Sequence, residues 1–291
     1  MKWSYGPTGL KQPHSVAGSL RRCYPSFDAV VATASLWFVV GRSRDALPYG
    51  IEGFLGVVYL VIGQPERWAE LCRAQLARRR DTHVYTRAWL VGALSLAGSG
   101  GEAMDCADGL IEAAEATGNP HMLAWALTAY GLAFGDADPV GALNALGRGL
   151  VIAQDSGSRI NASILATLLA RLEVEHGDTL AAFDHLTLAI RNFHDAGDTT
   201  TIRVPLAVLA ALFDRLGRCE PAAAIAGFAL SPLSTGVFPE INTAIAHLRD
   251  VLGDQAYESL ARNGETMTTA AMATYAYDQI DQARTELEHP S

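Results

Sequence analysis

Turn-forming glycines recur along this chain at a nearly constant interval. One series is spaced 39 and 40 residues apart and consists of Thr117-Gly118, Ser156-Gly157 and Ala196-Gly197. A second series falls between these turns and consists of Gly101-Glu102, Gly135-Asp136, Gly177-Asp178 and Gly217-Arg218. Because glycine often follows the last turn of a helix, two interleaved series predict paired helices. A fixed period of this size is typical of an α-solenoid, in which each hairpin buries its apolar face against its neighbours.

We therefore predict an all-α, right-handed α-solenoid of about five tetratricopeptide-like hairpins with a C-terminal helical cap. The predicted pairs are Pro48–Ile62 with Pro65–Arg80, His83–Leu96 with Glu102–Ala116, Pro120–Phe134 with Pro139–Asp155, Ile160–Glu175 with Thr179–Ala196, and Thr201–Leu216 with Glu220–Leu230. A further helix is expected at Phe27–Gly41.

The repeat pattern defines three segments. Residues 1–20 are expected to be a disordered leader, residues 21–232 the repeat array, and residues 233–291 the helical cap. Ser231-Pro232-Leu233-Ser234 and Gly236 predict a linker after the array. The cap is expected to contain three helices at Glu240–Leu252, Asp254–Asn263 and Thr266–Glu288.

Composition narrows the classes of partner. The net charge of −9 argues against direct nucleic-acid binding, which needs clustered lysine and arginine. The apolar runs at Ala29–Val40 and Ile51–Ile62 are shorter than the roughly 20 residues of a membrane span. Four cysteines without metal-like spacing are typical of a reducing compartment. We expect no nucleic-acid or membrane partner and a cytoplasmic location.

Known catalytic and metal motifs are missing from the sequence. Neither of the two lysines follows a glycine, so a P-loop is excluded. The string nearest to a zinc motif, Glu173-Val174-Glu175-His176, ends its predicted helix beside a glycine. His176, His185 and His194 recur every nine residues, which alternates helix faces. We therefore expect no catalytic, cofactor-binding or metal-binding residue, and predict that the chain is not an enzyme.

One set of aromatic and arginine side chains on the predicted first helices could form a binding groove. In tetratricopeptide-like arrays the first helices line the inner surface, and aromatic and arginine side chains supply most interface hot spots. The candidates are Tyr85, Arg87, Trp89, Trp125, Tyr130 and Arg203. For Trp89 and Trp125 we favour packing between repeats over a groove role, whereas Arg87 and Arg203 are expected to be more exposed.

The C-terminal segment carries a family resemblance. It contains Leu248-Arg249-Asp250-Val251-Leu252-Gly253-Asp254-Gln255-Ala256, then Gly264-Glu265-Thr266-Met267-Thr268, then an alanine-rich helix with Tyr275-Ala276-Tyr277. This order resembles the closing segment of large actinobacterial regulators built around a STAND-type ATPase, with the mycobacterial LuxR-type and adenylate-cyclase-like proteins the most similar. The resemblance covers roughly residues 20–288 and is most specific in the last 45.

The resemblance implies a function in signalling or transcription. In those regulators a tetratricopeptide-like tail receives signals and holds the ATPase inactive, whereas here the ATPase and output motifs are missing. The chain is therefore expected to be a sensor or docking tail, either stand-alone or detached from a larger regulator. Its partner is a protein or regulator domain bound in the concave groove. The alternatives are a small-molecule effector held within the superhelix and, with no supporting motif, an enzyme of unknown type.

Overall fold

The computed structural model describes residues 56, 58–60, 63–78, 84–176 and 178–289, all within one compact unit, Leu55–Ser291. These residues form an all-α helical-repeat solenoid without a β-strand. Its helices are α1 (Pro65–Arg78), α2 (Val84–Leu96), α3 (Gly100–Ala107), α4 (Leu110–Ala116), α5 (Pro120–Phe134), α6 (Pro139–Asp155), α7 (Arg159–His176), α8 (Thr179–Asp195), α9 (Arg203–Arg215), α10 (Cys219–Ala229), α11 (Pro232–Val237), α12 (Glu240–Leu252), α13 (Asp254–Glu265) and α14 (Thr269–Glu288).

Local capping chemistry places the helix starts where the sequence predicts them. Asn119 accepts hydrogen bonds from the backbone N–H groups of residues 121 and 122, and Pro120 begins α5. Asp138 and Asp178 cap α6 and α8 in the same manner. These side chains satisfy N–H groups that have no partner inside the helix. Consecutive helices then pack as antiparallel pairs, α5 on α6 and α7 on α8, as the repeat period predicts.

The second helix of the second repeat differs from the prediction. Glu102–Ala116 was expected to be one helix, but the chain forms α3 and α4 with a break at Asp108-Gly109. Gly109 has φ of +65°, a left-handed conformation that interrupts the helical hydrogen bonds. Arg87 on α2 donates through Nη2 to the carbonyl oxygens of Cys106 at 3.2 Å and Asp108 at 2.9 Å. A side chain from the neighbouring helix thus satisfies carbonyls that the break exposes.

The predicted linker after the array is a helix. Ser231 and Ser234 form a reciprocal capping box, and Pro232 occupies the first turn of α11. Ser234 is completely buried and its hydroxyl donates to the Ala229 carbonyl oxygen at 2.7 Å. Serine and proline favour helix starts as well as turns, so the same residues that suggested a linker begin this short helix.

The cap contacts the last repeat through two glycines. α10 and α13 cross so closely that a Cβ on Gly227 would lie 2.1 Å from the Ala261 carbonyl oxygen. A Cβ on Gly264 would lie 1.8 Å from the Ala224 carbonyl oxygen. Only a residue without a side chain fits at either position. Gly264, part of the segment that carries the family resemblance, therefore has a packing role in this chain.

Arginines bind the cap helices to one another and to the array. Arg249 on α12 pairs with Asp254 and Glu258 of α13 and lies 4.4 Å above the Tyr257 ring. Arg218, at the start of α10, donates to the Gln279 backbone carbonyl at 2.6 Å, which attaches α14 to the last repeat. The buried face of α14 consists of Met272, Ala273, Ala276, Ile280 and Ala283.

Some predictions fall on residues that the structure does not describe. The leader at 1–20, the helix at Phe27–Gly41, most of the helix at Pro48–Ile62 and the ends of the first predicted pair lie outside the described residues. The glycine at position 177 is also outside them. Among the residues that are described, no helix combines the length and apolarity that crossing a membrane requires.

Candidate functional site

Four rings from two successive first helices form what we call the aromatic cluster. Tyr85 and Trp89 lie on α2, and His121 and Trp125 lie on α5. The Tyr85 ring centre is 4.3 Å from Trp89, 5.7 Å from His121 and 5.9 Å from Trp125. The two indoles meet edge to face at 6.3 Å. Such geometry is favourable for aromatic pairs, so the cluster stabilises the contact between the two repeats.

The repeat itself brings these rings together. Tyr85 and Trp89 are one helical turn apart, as are His121 and Trp125, and each ring of the first pair precedes its counterpart by 36 residues. Side chains four residues apart on a helix share a face. Because α2 and α5 pack side by side in equivalent orientations, the two faces meet at the N-terminal turns of both helices.

A side chain from the next repeat extends the cluster. Asn161 on α7 is 3% exposed, and its Nδ2 lies 3.2 Å from Nδ1 of His121. Since an amide nitrogen only donates, the histidine nitrogen accepts, and the imidazole proton lies on Nε2. Three successive first helices therefore contribute polar and aromatic side chains to one set of contacts.

Burial keeps the cluster uncharged. It raises the pKa of Tyr85 to about 12, so the phenol keeps its proton at neutral pH. His121 is exposed as a whole residue, but its ring lies against Tyr85 and Trp125, and this partial burial lowers its pKa. The indole Nε1 of Trp125 is buried without a hydrogen-bond partner among the described residues.

The raised pKa of Tyr85 makes its phenol unsuited to proton transfer. A general acid or base needs a pKa near the working pH, whereas the Tyr85 phenol is far above that range. The imidazole N–H of exposed His121 and the outer edges of the rings instead match the carbonyl groups and apolar side chains of a partner. The arrangement can bind a neutral ligand surface through hydrogen bonds and ring contacts.

Half of the groove candidates join this cluster. Tyr85, Trp89 and Trp125 are members, and Trp89 is only 5% exposed. Arg87 instead turns toward the break between α3 and α4, where it binds two backbone carbonyls. Arg87 is half-buried and more exposed than Trp89, and its guanidinium lies against these two carbonyls.

The other two candidates lie apart from the cluster. Tyr130 stacks on Phe134 at the C-terminal end of α5, with ring centres 4.4 Å apart. Arg203, expected to be more exposed than the tryptophans, is half-buried, donates to the Phe228 carbonyl oxygen and lies 4.6 Å from the Phe228 ring. The groove role of all six residues stays a prediction.

Sequence reasoning overlooked His121 and Asn161. A usable signal exists for His121, because it repeats Tyr85 at the 36-residue interval that relates Trp89 to Trp125. Asn161 has no comparable aromatic marker. Its role depends on how α7 packs beside α5, which periodicity alone does not define.

Two histidine–carboxylate hydrogen bonds lie outside the aromatic cluster, one within the array and one between the array and the cap. His185 Nδ1 is 2.7 Å from Glu173 Oε2, and His247 Nδ1 is 2.8 Å from Asp214 Oδ1. Asp214 is 9% exposed, so His247 supplies the hydrogen bond that a buried carboxylate requires. Within the described residues, no three histidine, cysteine, aspartate or glutamate side chains gather closely enough to hold a metal ion.

Comparison with known proteins adds no family assignment. No protein-family model matches the chain, and no curated protein matches it.

Proposed function

We propose that this protein is a non-catalytic helical-repeat interaction module that binds a protein partner at the aromatic cluster. The observation that carries the proposal is the convergence of Tyr85, His121 and Trp125 at the N-terminal turns of two adjacent first helices. An exposed histidine and a half-buried tyrosine and tryptophan at one place offer the anchor residues typical of interface hot spots.

A protein partner fits this surface better than a small molecule does. The ring centres are 4.3 to 6.4 Å apart, so the rings contact one another and leave no ligand-sized space between them. A partner would instead lie across their outer edges. The resemblance of residues 248–284 to the tails of STAND-type regulators supports a partner in a signalling or transcriptional pathway.

Site-specific photocrosslinking tests the proposal. We would place the photoreactive residue p-benzoylphenylalanine at His121 and, as a matched control, at Val140, which is 70% exposed on α6. Irradiation of cells that produce the protein is expected to yield a discrete crosslinked partner from position 121 alone. Identical crosslinks from both positions, or none from position 121, would contradict the proposed site.

A ligand assay distinguishes the small-molecule alternative. A molecule that binds only the folded state raises the melting temperature by mass action. A metabolite that stabilises the wild-type protein but not the Trp125→Phe variant would favour an effector receptor over a protein-binding module. The variant keeps an aromatic ring and removes the Nε1 donor.

The non-catalytic part of the proposal is tested with nucleotide. The purified protein is expected to release no phosphate from ATP above the background without enzyme. ATP turnover that survives purification and disappears with a single point substitution would show that the chain is an enzyme.

A further inference from the structure

The turn between α12 and α13 forms an uncharged depression at the protein surface. Its volume is about 440 Å³, and it is lined by Leu252, Gly253, Gln255, Ala256 and Ser259. Val251, beside this lining, is 55% exposed. We call these six residues the cap corner. None of them is charged, so the corner presents an uncharged surface that a partner's apolar side chain can enter.

The structure holds the cap corner in a fixed shape. Gly253 has φ of +80° and reverses the chain between the two helices. Leu248 and Tyr257, on either side of this turn, are buried in the core. Arg249 joins both helices through ion pairs with carboxylates of α13. A surface that is already ordered loses little conformational entropy when a partner binds.

Three exposed carboxylates lie on the two helices that form the cap corner. Asp250 is exposed, and the side chains of Asp254 and Glu258 are 82% and 52% exposed. Arg249 offsets one of these three negative charges, so the net charge beside the cap corner is negative. Residues 240–288 contain nine carboxylates and three arginines, so most of the net charge of −9 lies in the cap.

We propose that the cap corner is a docking surface for a basic protein segment, with one apolar side chain in the depression and lysine or arginine on either side. Charge complementarity selects this partner, because the exposed carboxylates attract cations, whereas the uncharged lining, which includes Leu252 and Ala256, can contact an apolar side chain. The depression is open and shallow, which suits a side chain from a protein surface. This surface uses none of the residues of the aromatic cluster, and the inference stands independently of the function proposed above.

A labelled peptide provides the direct test. The probe is a fluorescein-labelled peptide with a central leucine between two pairs of lysines, titrated by fluorescence anisotropy at low salt with the full chain. Val251→Ser is expected to weaken binding about fivefold, since it removes apolar contact with the leucine. Val140→Ser removes a valine on α6 that is even more exposed, 70% against 55%, and is expected to leave the affinity unchanged.

Charge reversals test the second part of the inference. Asp250→Lys is expected to weaken binding about tenfold, and Asp281→Lys, which changes an exposed carboxylate of α14, is expected to have less than half of that effect. Circular dichroism and melting curves establish that each variant is folded. A peptide with serine in place of leucine that binds equally well would overturn the inference. Equal losses for the two valine variants, or for the two aspartate variants, would also overturn it.

Discussion

At the scale of single residues, glycine at two positions defines how closely the cap approaches the last repeat. Gly227 and Gly264 lie at the crossing of α10 and α13, where backbone of one helix contacts backbone of the other. At other positions inside a helix, glycine destabilises the fold relative to alanine, because glycine loses more conformational freedom on folding. At this crossing the missing side chain is what permits the contact.

Gly264→Ala should therefore destabilise the protein, although alanine is the better helix former. The added Cβ would lie 1.8 Å from the Ala224 carbonyl oxygen, and the helices must separate to admit it. We expect the apparent free energy of unfolding to fall by about 2 kcal/mol, measured by urea denaturation.

Gly147 provides the matched comparison. It lies within α6, and a Cβ there would meet no atom within 4 Å. Gly147→Ala is expected to raise the unfolding free energy by about 0.5–1 kcal/mol. If both substitutions changed the unfolding free energy in the same direction, close packing at Gly264 would not explain the effect of Gly264→Ala.

The lowered pKa of His121 predicts that its contribution to the free energy of unfolding depends on pH. Burial of its ring lowers the pKa in the folded state, so the unfolded chain binds the proton more readily. The stability from the neutral imidazole is present above the unfolded pKa of about 6.5 and is lost as the pH falls toward the folded value.

A variant isolates this contribution. His121→Gln retains a hydrogen-bond acceptor for Asn161 but does not titrate. Unfolding measured by urea between neutral and mildly acidic pH should show a steeper decline for wild type than for this variant. His289→Gln, at an exposed position near the chain end, should follow the wild-type profile. Equal slopes for wild type and His121→Gln would contradict the assignment.

At the scale of helices, the break between α3 and α4 depends on a hydrogen-bond donor from a neighbouring helix. The backbone turns at Gly109, and the carbonyls of Cys106 and Asp108 then find their donor on α2. The Cys106 carbonyl is half-buried and would be costly to leave without a donor, whereas the Asp108 carbonyl is exposed to water, so Arg87 stabilises the break mainly through Cys106.

Arg87→Gln is expected to lower the unfolding free energy by about 1–2 kcal/mol, because two carbonyls lose a charged donor. Hydrogen exchange of the amides at 108–116 should accelerate more than that of α5. Arg148→Gln is the comparison, since its pair with Glu115 is exposed and contributes less than about 1 kcal/mol. A similar change from both variants would indicate that only surface charge matters.

At the scale of the whole molecule, the described core consists of three clusters rather than one. The first extends from α1 to α5, the second from α5 to α8, and the third from α7 to α14. Each cluster shares helices only with its neighbours along the chain. In such an array stability is a sum of local terms and contacts between neighbours, so one end can open before the other.

The Gly264→Ala variant tests this local behaviour. Native-state hydrogen exchange is expected to show lost protection in α9, α10, α12 and α13, which belong to the third cluster. Protection of α2 and α5 should remain as in the wild type, because their contacts lie in the first cluster. A uniform loss of protection across all helices would show that the described residues unfold as one cooperative unit.

The sequence by itself determined the fold class and most helix boundaries. Asn119-Pro120 and Asp138-Pro139 begin helices through local hydrogen bonds, and the glycine period divides the helices into pairs. It also placed Trp89 and Trp125 at equivalent positions of consecutive first helices, since the 36-residue interval is readable from the chain.

Only the tertiary structure decided where the remaining side chains act. Arg87 and Arg203 bind carbonyls of other helices, and Asn161 meets His121 across a repeat boundary. At the break near Gly109, the hydrogen-bond donor likewise comes from another helix. Periodicity reports which face of a helix a residue occupies. It does not report which polar atom of a neighbouring helix comes within reach, because that depends on how closely and at what angle the helices pack.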